Sequence, residues 1–401
     1  MLCAWVDTKF VVSPKNWYRK TKHVTKRCNS YKTSIWTRCC IQYSDHQKEY
    51  TAALVIPTGT GAKIGGYAGD GLPTARAFAS VVDRLIAHPN ILNGALMYWP
   101  MSNVLYVEGF GMDQFFSGHW GLRPVRWNRV GLVLDKGIEE ELLYRHLQCA
   151  DAARATLGIA VTDFIVTEQA LHIETFLTED GNSSGTIQGL EQLAQASQKL
   201  IQERNCNAIA LVTRFPEEDN EQLLHSYRHG SGVDAIGGAE ALISRYVAKV
   251  CQVPCAHAPA LSPLPLDKTI HPKSAAEELG YTFLTSVLVG LSRAPRYVTS
   301  REASRAEDIW VEALDAVVLP CGVHTCAVEQ LYRSPTALFY VEENRTTGCH
   351  KDTIPIEQDS RLIRTSNYLE ALGYVAAHKA GVLWEAMRPQ ISSIRKYPQV
   401  S

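Results

Sequence analysis

Nothing in the sequence approaches the ~20 consecutive apolar residues that a membrane-spanning helix needs. The longest apolar run, Tyr281 to Leu291, is about half that length, so the body reads as soluble with no membrane span. CxxC pairs are absent, and the cysteines are scattered apart from Cys3, Cys28, Cys39 and Cys40. That excludes a disulfide scaffold and points to a reducing compartment. No GK[ST] follows the glycine-rich segment, which excludes a Walker loop. GxSxG, HExxH, the kinase motif set and a clear Ser-His-Asp signature are also missing.

Acid is scarce at one end. Residues 1–44 hold Asp7 against nine Lys and Arg, leaving the remainder net acidic. An acidic body argues against general nucleic-acid binding, which depends on neutralising phosphate. The basic, Ser- and Thr-rich segment 1–44 has the composition of an organelle transit peptide. Trp5, Trp17, Trp36 and the clustered cysteines are unusual in one. An incorrect start near residue 45 and a functional basic arm are therefore alternatives, and all three readings put 1–44 in disorder outside the fold.

What is present is an α/β pattern. The chain has 401 residues and 46% hydrophobic content, enough for roughly two to three domains. Short apolar runs at 51–57, 129–135, 162–167, 208–213, 253–258, 314–320 and 337–341 read as strands. Helical patterns at 72–87, 138–157, 190–204, 237–250, 325–332 and 366–387 separate or follow them. Such alternation predicts a mostly parallel sheet or sheets with flanking helices and Rossmann-like elements. The expected organisation is a glycine-loop portion over 45–180 and a second α/β portion over 190–401 packed with it. Thr178–Gly189 and the Pro-rich stretch Ala258–Ser274 are the linker candidates.

Several stretches could carry chemistry. "IPTGTGAKIGGYAGDG" joins a strand to a helix, where free backbone N–H groups attract phosphate or carboxylate. Thr58, Gly59, Gly61, Gly65, Gly66, Gly69 and Asp70 are the ligand-binding candidates there, with Lys63 a supporting charge. The alternatives are a purely structural loop, and a capping role for Asp70. "PCAHAP" ends a strand on His257, which suits acid–base work or a satisfied buried histidine. "VEENRTTG" places Glu342, Glu343 and Asn344 at a strand's carboxyl end, as catalytic groups or as a solvated turn. Cys255, His257, Cys321, His324 and Cys326 could form a zinc site, although their spacing matches no common pattern and inert cysteines fit better. The aromatic, Gly-rich segment 107–129 suits a lid or core, and Arg293 is a candidate anion clamp.

These motifs resemble a known family. "IPTGTGAKIGGYAGDGLPTARAFASVVDRLIAHPNILNGA", "GLRPVRWNRVGLVLDKGI", "CAHAPALSPLPL", "AAEELGYTFLTSVLVGLSRAPRYV" and "VEENRTT" are similar to the domain-of-unknown-function family numbered 3326 over about residues 50–385. Its members are common in cyanobacteria and occur in photosynthetic eukaryotes. The resemblance implies no activity. It implies a body starting near 45–50, and a plastid stromal location in a eukaryote or a cytoplasmic one in a bacterium. A "GGAEALISRYV" unit also resembles nicotinate-nucleotide phosphoribosyltransferases, which implies group transfer.

The expectation is thus an enzyme binding a small anionic, phosphorylated or carboxylated metabolite. His257, Glu342, Glu343 and Asn344 would be catalytic, and Arg293 would hold the anion. No cofactor is indicated, nucleic acid is not a partner, and an oligomer is compatible with the sequence. A non-catalytic sensor or assembly partner, and a metal-dependent enzyme using the Cys/His loops, are the alternatives.

Overall fold

The computed structural model describes residues 48–57, 63–94, 99–179, 181–217, 221–232, 234–280, 282–321, 331, 334–344 and 362–394. The expectations for 1–44 fall outside these residues, as does the helix expected at 325–332 apart from Leu331. Among the described residues no helix is long and apolar enough to cross a membrane.

The chain begins with β1 (Thr51–Leu54), α1 (Leu72–Val81), β2 (Arg84–Ala87), α2 (Pro89–Leu92), β3 (Val104–Tyr106), α3 (Gly109–Phe116) and β4 (Gly121–Arg123). Next come β5 (Arg129–Leu134), α4 (Glu140–Leu157), β6 (Ala160–Val166), β7 (His172–Leu177), β8 (Ser183–Gln188) and α5 (Leu190–Arg204). Then follow β9 (Ala208–Arg214), α6 (Glu221–Arg228), α7 (Gly237–Cys251), β10 (Cys255–Ala260), α8 (Pro272–Glu278) and α9 (Leu284–Ser292). The described chain closes with β11 (Arg296–Val298), β12 (Ala316–Pro320), β13 (Ala337–Val341), β14 (Leu362–Thr365) and α10 (Tyr368–Lys379).

Two parallel sheets organise the fold. The larger has the order β14-β13-β12-β1-β2-β3, and the smaller β10-β9-β5-β6. The first draws its strands from both ends of the described chain, the second from its middle. β1, β9, β10, β12 and β13 are almost wholly buried, because helices or loops cover both faces of a parallel sheet. β7 and β8 form an antiparallel hairpin, and β4 pairs antiparallel with β11.

Two expectations are corrected. The helix read over 72–87 ends at Val81, and Arg84–Ala87 is a strand. Val82 is extended, and the Asp83 carboxylate accepts the Tyr50 N–H at 2.8 Å, tying the chain back to the start of the sheet. Apolar residues at 85 and 86 suit either period, so spacing alone could not separate the two elements. The stretch 178–189, read as a linker, carries β8. Gly185 lies so near α7 that a Cβ there would sit 2.8 Å from that of Ala239, so the hairpin packs closely on the helix.

β1 sits where the strand order of the larger sheet reverses, between β2 and β12. Ligands in open α/β sheets bind outside the carboxyl ends of strands at such a point. The equivalent point of the smaller sheet, between β5 and β9, is filled by protein. Buried Asp135 there accepts N–H bonds from Gly137, Leu171 and Arg214 at 2.9–3.1 Å.

Candidate active site

A cavity of about 370 Å³ lies at the carboxyl ends of β1, β2 and β12, beside β10 and the first turn of α7. That volume is within the range of small-molecule sites. Five carboxylate side chains line it: Glu108, Asp113, Asp234, Glu240 and Glu277. Among the described lining residues there is no Lys or Arg.

His257 stands on β10 with its ring held at both nitrogens. Nδ1 lies 3.0 Å from Glu240 Oε1, and Nε2 lies 2.7 Å from the Thr213 hydroxyl. The Nδ1–H donates to the carboxylate, and Nε2 accepts from the hydroxyl. Phe215 packs edge-on at 5.6 Å. Both nitrogens are occupied, so the ring acts on Glu240 rather than directly on a ligand. Glu240 itself lines the cavity with its side chain a quarter exposed. It sits in the first turn of α7, where the helix dipole favours negative charge.

Asp234 and Glu277 flank Glu240. Burial raises both carboxyls well above the usual carboxylate range, and the neighbouring acidic charges raise them further. The Tyr227 hydroxyl lies 2.9 Å from Gly66 O and 2.7 Å from Glu277 Oε2. It has one proton to donate, and where that goes to Glu277 it opposes the rise that burial causes. Tyr67, which lines the cavity, stacks on Tyr227 at 4.8 Å. Glu108 caps α3 by accepting from Phe110 and Gly111, and burial pushes it up to about 7. Across the cavity, burial pushes His88 down to about 4, so the ring is neutral; its Nε2 accepts from Ile56 N–H at 3.2 Å.

The residues singled out from the sequence divide sharply. Thr58, Gly59 and Gly61 lie outside the described residues. Gly66 lines the cavity and leaves open space where a Cβ would stand. Gly65 also lines it, but has φ +107°, and a Cβ there would meet the Pro57 carbonyl oxygen at 2.1 Å. Gly69 has φ +77° and touches the backbone of Gly94. Close packing of backbone on backbone, rather than approach of a ligand, accounts for these two. The neighbouring N–H groups are spent within the protein: Lys63 and Ile64 donate to Asn344, Gly65 to Asp70, and Ala68 to Glu277. Asp70 does not cap α1, whose N-cap is Gly71. It is almost fully buried and pairs with Lys273 at 3.2 Å.

Asn344 is buried at the end of β13 and clamps the loop. Its Oδ1 accepts from Lys63 and Ile64, and its Nδ2 donates to Ile64 O and Tyr368 Oη. Glu343 accepts the Tyr368 N–H at the start of α10, and Glu342 faces Arg364 at 3.7 Å with its side chain half exposed. None of the three lines the cavity, so their proximity in sequence to a strand end does not bring them to His257. Arg293 is exposed at the end of α9, 3.5 Å from Met101 O, and also lies outside the lining. Cys255 is buried on β10, while His324 and Cys326 lie outside the described residues. Among the described residues no group of three His, Cys, Asp or Glu could hold a metal ion.

The sequence reading missed Asp234, Glu240, Glu277, Glu108 and His88. Gly237-Gly238 followed by an acid in the first helical turn was a signal for Glu240. The others come from four separate loops and helices, with nothing local to link them.

The comparisons with known proteins agree with this sequence. An uncharacterized lipoprotein of Synechococcus sp. (strain ATCC 27144 / PCC 6301 / SAUG 1402/1) is 47% identical over 343 residues, spanning 85% of this chain and 94% of that protein. No solved structure matches the chain. The family described as "Protein of unknown function (DUF3326)" matches residues 51–388, and the chain belongs to it.

Proposed function

We propose that the protein is an enzyme whose active site is the cavity between the two sheets, and that its chemistry is proton transfer on a small metabolite. Glu240 is the general base, oriented by His257 through Nδ1. Glu277 and Asp234 are the acids, kept protonated by burial and by each other. One observation carries this reading: acid groups with raised pKa stand beside a His-supported carboxylate in one small cavity. Carboxyls whose environments push them apart in pKa are how a site runs acid and base steps at one pH.

The lining also bears on the substrate. Five carboxyls and no described cation favour a ligand presenting N–H, O–H or cationic groups to this end of the cavity. An anionic substituent finds no free donor at 63–65, whose N–H groups are already bonded. Group transfer fits if the base deprotonates the attacking nucleophile.

The test uses a small-molecule extract of the protein's own type of host. Wild type and Glu240→Gln are each incubated with it in D2O, and masses are compared. The reading predicts a metabolite that wild type consumes or deuterates and Glu240→Gln leaves unchanged. Equal turnover by both proteins, or no change with wild type, would overturn it.

A further inference from the structure

β10 is the edge of the smaller sheet and pairs with β9 alone among the described strands. Its hydrogen-bond phase is fixed. Cys255 lies opposite Ile209, and Ile209 N–H donates to Pro254 O at 2.9 Å. In a parallel ladder one residue bonds the two positions flanking its partner. Pro254, Ala256, Ala258 and Ala260 therefore turn their main-chain groups towards β9. Cys255, His257 and Pro259 turn theirs to the open edge. Proline, which has no N–H, is tolerated at such an edge, and Pro259 falls in the outward set.

His257 is the outward residue with both main-chain groups available at the cavity. No described residue pairs with its N–H or C=O. Its side chain is only 2% accessible while the whole residue is 8% accessible, so what remains open is chiefly main chain. Ala256, His257 and Pro259 all line the cavity. A backbone donor and acceptor at a cavity, with no protein partner, are free to pair with a ligand that enters it.

We propose that the His257 N–H and C=O form a docking edge for a ligand with an N–H donor and a carbonyl acceptor on one side: a cis amide, as in a lactam or a cyclic ureide. The ligand extends β10 by main-chain pairing, as peptides do at sheet edges. This rests on the cavity being the ligand site, but not on Glu240 acting as a base. The side chain of His257 holds Glu240 while its main chain holds the ligand, which brings the reacting group to the base.

The probe is 2-pyrrolidinone, with N-methyl-2-pyrrolidinone as its control. The full-length protein is labelled with 15N-histidine, and the His257 amide is assigned by its loss in His257→Gln. Titration with the lactam is expected to shift that amide. The N-methyl compound, which cannot donate, is expected to bind about fivefold more weakly, the value of one neutral hydrogen bond. An unmoved His257 amide at saturating lactam, or equal affinity for both compounds, would overturn the proposal. Glu240→Gln separates the two readings. A lactam shift that persists in this variant while turnover is unaffected by it leaves the docking edge standing and removes the acid–base assignment.

Discussion

Asn344→Ala would test whether the geometry of the glycine loop is held from β13. Four hydrogen bonds of 2.7–3.1 Å converge on this side chain: two accepted from Lys63 and Ile64 N–H, two donated to Ile64 O and Tyr368 Oη. Asn344 is fully buried, so truncation leaves donors and an acceptor unpaired rather than returned to water. A typical bond contributes about 1 kcal/mol net, and each stranded buried group costs about 1–3 kcal/mol. Allowing for water entering the space, the loss should be about 3–5 kcal/mol. Asn344→Asp keeps the acceptor for both N–H groups but turns the donor to Ile64 O into a second acceptor, so it should lose at least as much. Urea unfolding monitored by circular dichroism reads both values, with an unchanged slope indicating a pure stability effect. A loss below about 0.5 kcal/mol for Asn344→Ala, the scale of an ordinary surface substitution, would refute the clamp.

Four other substitutions follow from the same geometry. Gly65→Ala forces a side chain onto the Pro57 carbonyl at φ +107°; thermal melting should show a loss of more than about 2 kcal/mol. Gly66→Ala meets open space and should melt within about 0.5 kcal/mol of wild type, while weakening any ligand that fills the cavity. Glu108 is pushed up from 4.5 to about 7 by burial. The native state therefore holds its proton where the unfolded state has lost it, and stability falls as pH rises through this window and levels off above it. The shift corresponds to about 3 kcal/mol. Denaturation across pH 4–8 should show this slope, and Glu108→Gln should flatten it; an unchanged slope would contradict the burial argument. His257→Ala should leave the fold intact but lower turnover of the host metabolite, with a changed pH profile; a parallel profile would argue against its positioning of Glu240.

How far the sequence could be read depended on the range of the interaction. Ala208–Arg214 and Ala337–Val341 were legible as strands because burial on both faces demands an unbroken apolar run. Leu190–Arg204 was legible because its buried side recurs at helical spacing. Arg84–Ala87 was hidden, since a short apolar run directly after a helix fits either period. The site was only partly legible. His257 at a strand end was found, but its meaning depends on Thr213 one strand away and on Glu240 in the preceding helix. Asp234 and Glu277 become acids only through mutual proximity across separate segments, which no spacing rule encodes. Conversely, Glu342, Glu343 and Asn344 sit at a carboxyl strand end as expected, yet β13 lies two strands from β1 and their contacts go to α10, Arg364 and the loop backbone.

The central claim is that protonated carboxyls stand beside Glu240 at neutral pH. Infrared difference spectroscopy of wild type against Glu277→Gln, repeated for Asp234→Asn, measures this directly. The account predicts a carboxylic-acid carbonyl band in wild type at neutral pH that is lost in Glu277→Gln and disappears from wild type as the pH is raised. Carboxylate bands alone at neutral pH, unchanged in kind by both substitutions, would contradict it.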